Sequence, residues 1–271
     1  MTALKRWWPM LLALALLTLA TAPLLTQVSA QSGNLLQDPG FEGTYVNRGR
    51  STLNTPQNWP IWLQDGPHNY DWQNRADKVF AFPHNNAPEV HSGTESLHIN
   101  GGYVTFTAAV YQQVSVPAGT NLTGSIWARL HTCDLPPNSG TCGSAVESGA
   151  YVKVGIDPNG GTDANSPSIV WSANWSPHDT WQQGTVTATS AAGTVTLFAY
   201  VTQQWPSDLN NVWFDDAYLG TGGAGGFAPG QATAVPTARP VPTAFVAVVQ
   251  PPRPDGSIVH TVQPGDTLTG I

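Results

Sequence analysis

His84, His91 and His98 recur every seven residues, with Glu89 and Glu95 between them. Imidazoles and carboxylates gathered in one stretch are the raw material of a metal site or a proton relay. No His-Glu-x-x-His pattern is present to bring ligands onto one helix face, so these histidines read as surface residues. Paired carboxylates for glycoside hydrolysis need only closeness in space, which a sequence does not reveal. No Gly-x-Ser-x-Gly elbow, phosphate-binding glycine loop or catalytic cysteine arrangement occurs. Catalysis is not expected.

The stronger chemical signal is aromatic: the chain carries 11 Trp, 7 Tyr and 8 Phe. Indole rings stack on the C–H faces of sugars, while neighbouring amides and carboxylates read the hydroxyls. Trp62, Tyr70 and Trp72 share a loop-like stretch with Asp65, Asn69 and Asp71, which makes a plausible platform. Trp171 and Trp175 with Asn174, and Trp205 between Gln204 and Pro206, are further candidates. Most Trp residues in a β-sandwich are packing residues, and Trp59, Trp127, Trp181 and Trp213 are assigned to the core or the sheets.

The two cysteines, Cys133 and Cys142, lie in a Pro/Asn/Gly-rich stretch and read as a short-loop disulfide in an exported protein. With no histidine pair nearby in sequence they make a poor zinc site. Export is read from the first thirty residues. Lys5 and Arg6 precede the apolar run Met10 to Ala20, and Val28-Ser29-Ala30 supplies small residues before a cleavage point at Gln31. Removing those two basic residues from ten leaves 8 against 17 acidic ones, a formal −9. That balance argues against nucleic acid or an anionic membrane as the main partner. Charged residues are only 10% of the chain, a surface suited to neutral extracellular polymers. No membrane insertion is expected once the leader is cleaved.

Positioning falls to β-strands. Val152, Val154 and Ile156 alternate with Tyr151, Lys153 and Gly155. Val195, Leu197, Ala199 and Val201 alternate with Thr194, Thr196, Phe198 and Tyr200. Leu122, Gly124, Ile126 and Ala128 alternate with Thr123, Ser125, Trp127 and Arg129. Similar runs near Leu35, Trp59, Val79, Leu97, Val114, Ile169, Val186 and Val212 predict about ten strands and no helix. This is the pattern of an all-β antiparallel sandwich or jelly roll.

A set of short motifs stands in a recognisable order: Asn34-Leu35-Leu36, Pro39-Gly40-Phe41-Glu42, Asn58-Trp59-Pro60-Ile61-Trp62, His91-Ser92-Gly93, Tyr111-Gln112-Gln113-Val114, and Trp213-Phe214-Asp215-Asp216-Ala217-Tyr218-Leu219. Over 34–220 the chain resembles the galactose-binding-like jelly roll shared by many carbohydrate-binding modules. The resemblance implies that first and last strands meet, bringing Glu42 and Asp215 together at a structural calcium, with Asp216 as the neighbouring alternative. Carboxylates that cap backbone N–H groups without a metal are the competing expectation.

From residue 221 to 257 the composition turns to Gly, Ala, Pro and Thr, a semi-rigid linker. Residues 260–271, His-Thr-Val-Gln-Pro-Gly-Asp-Thr-Leu-Thr-Gly-Ile, resemble the start of a LysM module, a family that binds peptidoglycan and chitin-type glycans. The expected organisation is a signal peptide (1–30), a β-sandwich (31–220), a linker (221–257) and an incomplete LysM module (258–271). The implied function is non-catalytic binding of extracellular polysaccharide or cell-wall glycan by a secreted, cell-wall-associated protein. The alternatives are a structural or adhesive surface protein that binds no sugar, and the targeting part of a longer cell-wall hydrolase.

Overall fold

The computed structural model describes residues 33–221 apart from 67, 68, 71, 138, 146 and 147. The expected leader and LysM-like tail lie outside the described residues, as do Asp71 and the expected linker beyond Thr221, which itself ends the last strand. The strands are β1 (Tyr45–Asn47), β2 (Asn54–Pro56), β3 (Ile61–Leu63), β4 (Phe80–His84), β5 (Ser96–Asn100), β6 (Thr107–Ser115), β7 (Asn121–Cys133), β8 (Tyr151–Asp157), β9 (Val170–Trp171), β10 (Gln182–Thr189), β11 (Thr194–Thr202) and β12 (Leu209–Thr221). A 3₁₀ turn, Ala76–Lys78, precedes β4, and no helix among the described residues is long and apolar enough to cross a membrane.

Val- and Thr-rich runs favour extended backbone because β-branching restricts χ1 and packs well on a pleated surface. Here they build two five-stranded antiparallel sheets. The first runs β10-β7-β12-β5-β4 and the second β3-β6-β11-β8-β9, with β1 and β2 as a separate pair. From β5 onwards the chain steps repeatedly from one sheet to the other, which is jelly-roll connectivity. Stretches such as Val79 and Ile169 adjoin strands as expected, whereas the Leu35 stretch forms no strand. It docks instead on the last strand, where the Leu35 N–H donates to the Leu219 carbonyl at 2.8 Å.

The core lies between the sheets. Val195, Leu197, Ala199 and Val201 of β11 and Val152, Val154 and Ile156 of β8 face Leu122, Ile126, Ala128 and Leu130 of β7 and Val212 and Phe214 of β12. Each fully buried aliphatic side chain contributes roughly 1.5–3 kcal/mol of transfer free energy. Leu197→Ala should therefore cost about 2–5 kcal/mol, since a rigid sandwich only partly refills the cavity. In β11 the other phase of the alternation is also largely buried, Thr196 and Phe198 completely so. The outer face of the second sheet is therefore not a simple solvated surface.

Candidate functional site

Register places an aromatic field on that outer face. Trp62 pairs with Ala109, Ala109 with Tyr200, and Tyr200 with Lys153, forming one row across four strands. The adjacent row runs Tyr111, Phe198, Gly155, Trp171. Side chains at paired positions of antiparallel strands share a face, so these rings stand side by side. Two small residues make the floor. Ala109 is fully buried, and a Cβ on Gly155 would come within 2.4 Å of the Trp171 ring. Ala164 and Ile169, from the connection between β8 and β9, pack over the Phe198 end. Trp62, Tyr111, Tyr151 and Trp171 remain partly exposed around this cluster.

A second aromatic group stands at the end of the same sheet. Tyr70 and Trp72 are stacked, their ring centroids 5.4 Å apart and their planes within 3° of parallel. Trp205 adjoins Trp72 at 6.2 Å. Their loops are tied to the ends of the sheet strands. The Thr105 N–H, just before β6, donates to the Trp72 carbonyl at 2.7 Å, and the Trp205 N–H donates to Ser148 O, just before β8, at 2.8 Å. Tyr70 is 61% and Trp205 50% exposed, far from core values, so neither ring is explained by packing alone.

The structure thus brings Tyr70, Trp72 and Trp205 together and sets Trp62 on the adjoining sheet face. Trp175 goes elsewhere. It bridges Val152 through reciprocal backbone bonds of 2.9 and 3.1 Å, and its ring packs against the core. Gly184 of β10 makes room for it, since a Cβ there would approach the ring to 2.1 Å. Sequence reasoning passed over Tyr111, Tyr151, Lys153 and Tyr200 as ordinary strand positions. The available signal was aromatic residues, Tyr151, Phe198 and Tyr200, in the phase of β8 and β11 opposite the aliphatic one, where a half-solvated strand needs only polar residues.

Glu42 and Asp215 both engage the segment leading into β5. Asp215 Oδ2 accepts the N–H groups of His91 and Ser92 at 3.0 and 3.2 Å. Glu42 Oε1 accepts those of Thr94 and Glu95 at 2.8 and 3.1 Å. A register shift in β12 between Asp215 and Tyr218, with Asp216 at φ 45°, lets consecutive carboxylates face this segment. Asp216 accepts from Ser92 Oγ at 2.8 Å and lies 2.6 Å from His91 Nδ1. Asp215 is fully buried, and burial, reinforced by the Asp216 charge, pushes its pKa up to about 7. Hydrogen bonding to Thr94 and Glu95 more than offsets the desolvation of Glu42 and holds its pKa below the ordinary value.

The seven-residue histidine repeat is split by the fold. His98 stacks on Trp213 at 4.8 Å on the outer face of the first sheet, with His84 5.4 Å away. His91 stacks on Trp127 at 4.1 Å. His98 is buried rather than at the surface, and desolvation lowers its pKa to about 4, leaving the ring neutral. Cys133 and Cys142 are joined in a disulfide with Cα atoms 6.2 Å apart. Among the described residues, His131 with these two sulfurs is the one group of three His, Cys, Asp or Glu ligand atoms drawn within 4.8 Å, and its cysteines are already bonded to each other.

No protein-family model matches the chain, and no curated protein sequence matches it. Among solved structures it is similar to TmCBM61, determined in complex with β-1,4-galactotriose, at 16% identity and a TM-score of 0.44, over 70% of this chain and 100% of that one. It is also similar to a xylan-binding domain from CBM 22, at 13% identity and a TM-score of 0.33, over 70% of this chain and 99% of that one. A third similarity is to the enzymatically active domain of bacteriophage CBA120 tailspike protein 4, at 11% identity and a TM-score of 0.39. That match covers 61% of this chain but only 19% of the tailspike chain.

Proposed function

We propose that this is a secreted, non-catalytic carbohydrate-binding protein whose β-sandwich holds an extracellular polysaccharide across the outer face of its second sheet. The observation that carries this reading is the number of partly exposed rings on one sheet: Trp62, Tyr111, Tyr151 and Trp171 on its outer face, with Tyr70, Trp72 and Trp205 in loops tied to its strand ends. Rings partly open to solvent over a floor of Ala109 and Gly155 suit the apolar faces of successive sugar units. Trp62, Tyr70, Trp72 and Trp205 are the proposed ligand-binding residues. Trp175 acts through packing. The leader-like start, the galactose-binding-like motif order and the LysM-like residues 258–271 support a cell-wall setting with peptidoglycan or chitin-type glycan nearby. The test is affinity electrophoresis of the full chain through gels containing β-1,4-galactan or xylan, with a peptidoglycan pull-down. Retardation that Trp72→Ala removes supports the reading, whereas no retention by any glycan overturns it.

The same reading includes a structural calcium held by Glu42 and Asp215. What supports it is that Glu42 and Asp215 hold the same segment, with the Asp216 carboxylate next to Asp215, and that Gly93 leaves room for Glu42 Oε1, which a Cβ there would approach to 2.0 Å. Backbone carbonyls and water would have to complete the oxygen shell of a hard cation. Such an ion would relieve the repulsion between Asp215 and Asp216 and hold the segment entering β5.

A further inference from the structure

A cation, Lys153, is set into the proposed glycan-binding face. Lys153 Nζ lies 4.0 Å from the ring centroid of Trp171 and 4.3 Å from that of Tyr200. An ammonium over an aromatic face is held by the ring quadrupole, so this arrangement fixes the charge in place. It covers one face of each of these two rings. Lys153 has no ion pair or hydrogen-bond acceptor among the described residues. Burial is the only influence on its pKa, which it lowers, and no neighbouring carboxylate raises it. Asp157, two outward positions along β8, is buried and accepts the Asn159 N–H at 2.8 Å. Lys153 is only partly buried, so water solvates the side of its ammonium that the rings do not cover, and a carboxylate on a ligand could take the place of that water.

Resting on the reading of this face as a glycan site, we propose that Lys153 selects a polysaccharide containing uronic acid, its ammonium pairing with the sugar carboxylate while Trp62, Tyr111 and Tyr151 carry adjacent rings. A carboxylate suits a compact ammonium, and the charge-assisted contact is stronger than one to a neutral hydroxyl. The low overall charge of the chain pointed to neutral polymers; Lys153 is the local exception. The acidic balance of the rest of the protein acts weakly at this position, because at physiological salt charges more than about 8 Å apart are largely screened.

The experiment compares the full chain on polygalacturonate, on its fully methyl-esterified form, and on β-1,4-galactan. Ester formation keeps the polymer backbone and removes the charge. The expected result is at least about tenfold tighter binding to the acid than to the ester. Lys153→Met should abolish that preference and Lys153→Arg should retain it, with both variants melting as the parent does. Equal binding of acid and ester, or a preference that survives Lys153→Met, would overturn the role of Lys153. Binding of galactan alone would also overturn it, while leaving the glycan-binding reading intact. Retention by none of the three polymers would remove both. A destabilised Lys153→Met variant would leave the decision to the acid-to-ester ratio of the parent and of Lys153→Arg.

Discussion

Glu42 and Asp215 hold one segment from two sides: Asp215 takes the N–H groups of His91 and Ser92, and Glu42 those of Thr94 and Glu95. One carboxylate precedes the first strand and the other lies in the last, so this segment joins the two ends of the folded chain. If a calcium ion sits there, it stabilises only the folded state. At one hundred times its dissociation constant it adds about 2.7 kcal/mol. Excess calcium is therefore expected to raise the melting temperature, and chelation to lower it. Asp215→Ala should melt earlier than the parent and lose the difference between the two conditions. Superimposable melts of the parent in calcium and in chelator would remove the ion and leave two carboxylates that cap N–H groups.

Stability in chelator should carry two opposed dependences on pH. Asp215 has a folded pKa near 7 against 3.8 unfolded, so between those values the folded state holds the extra proton. Its contribution is complete at low pH and is lost as pH rises towards 7. His98 has a folded pKa near 4 against 6.5 unfolded, so there the unfolded state holds the extra proton, and stability rises over pH 4 to 6.5. At about 1.4 kcal/mol per pH unit each limb spans a few kcal/mol, and the two largely cancel. Asp215→Asn should expose the rising limb and His98→Gln the falling one. Urea midpoints at pH 4.5, 5.5 and 6.5 measure this, and like-signed slopes in the two variants would contradict it.

The aromatic residues should separate by what they touch. Trp205→Ala removes one aromatic pair, at a stability cost of about 1 kcal/mol, and Trp72→Ala removes two, at about 2 kcal/mol. Both should lose most glycan retention. Trp175→Ala should cost about 3–5 kcal/mol, because its ring fills the space left by Gly184 and packs on the core. Paired urea titration and affinity electrophoresis distinguish the cases. Normal retention of Trp72→Ala and Trp205→Ala would take the sheet end out of the site.

The sandwich was legible because Val152, Val154 and Ile156, and Val195 through Val201, keep strict alternation that only a strand satisfies. The pairing order was not, since it depends on contacts between segments far apart in sequence. The loop group Tyr70 and Trp72 could be found because polar neighbours set it apart, but its meeting with Trp205 depends on bonds to Thr105 and Ser148 that spacing does not encode. Tyr151, Lys153 and Tyr200 escaped notice because residues on the outer face of a strand normally need no explanation. Trp175 misled for the opposite reason. Its neighbours Asn174 and Ser176 look like a loop, yet two backbone bonds to Val152 turn the ring inward.

The disulfide offers a last test, of what anchors the end of β7. Closing the short loop from Cys133 to Cys142 contributes roughly 2–3 kcal/mol by restricting the unfolded chain. The residues around it are also held independently. Thr132 N–H donates to Ser144 Oγ at 2.9 Å, its hydroxyl to Ala145 O at 2.8 Å, and the Leu135 N–H to Asp208 Oδ2 at 2.9 Å. Ser148, which receives the Trp205 N–H, bonds Thr132 through its hydroxyl at 2.8 Å. The purified protein should therefore show no titratable thiol until it is reduced, and two afterwards. Reduction should lower the urea midpoint by the loop-closure amount while glycan retention stays within about twofold, because Trp205 is positioned by Thr132 and Ser148 rather than by the sulfur bridge. Loss of retention on reduction, with the far-ultraviolet spectrum unchanged, would show that the bridge itself positions Trp205.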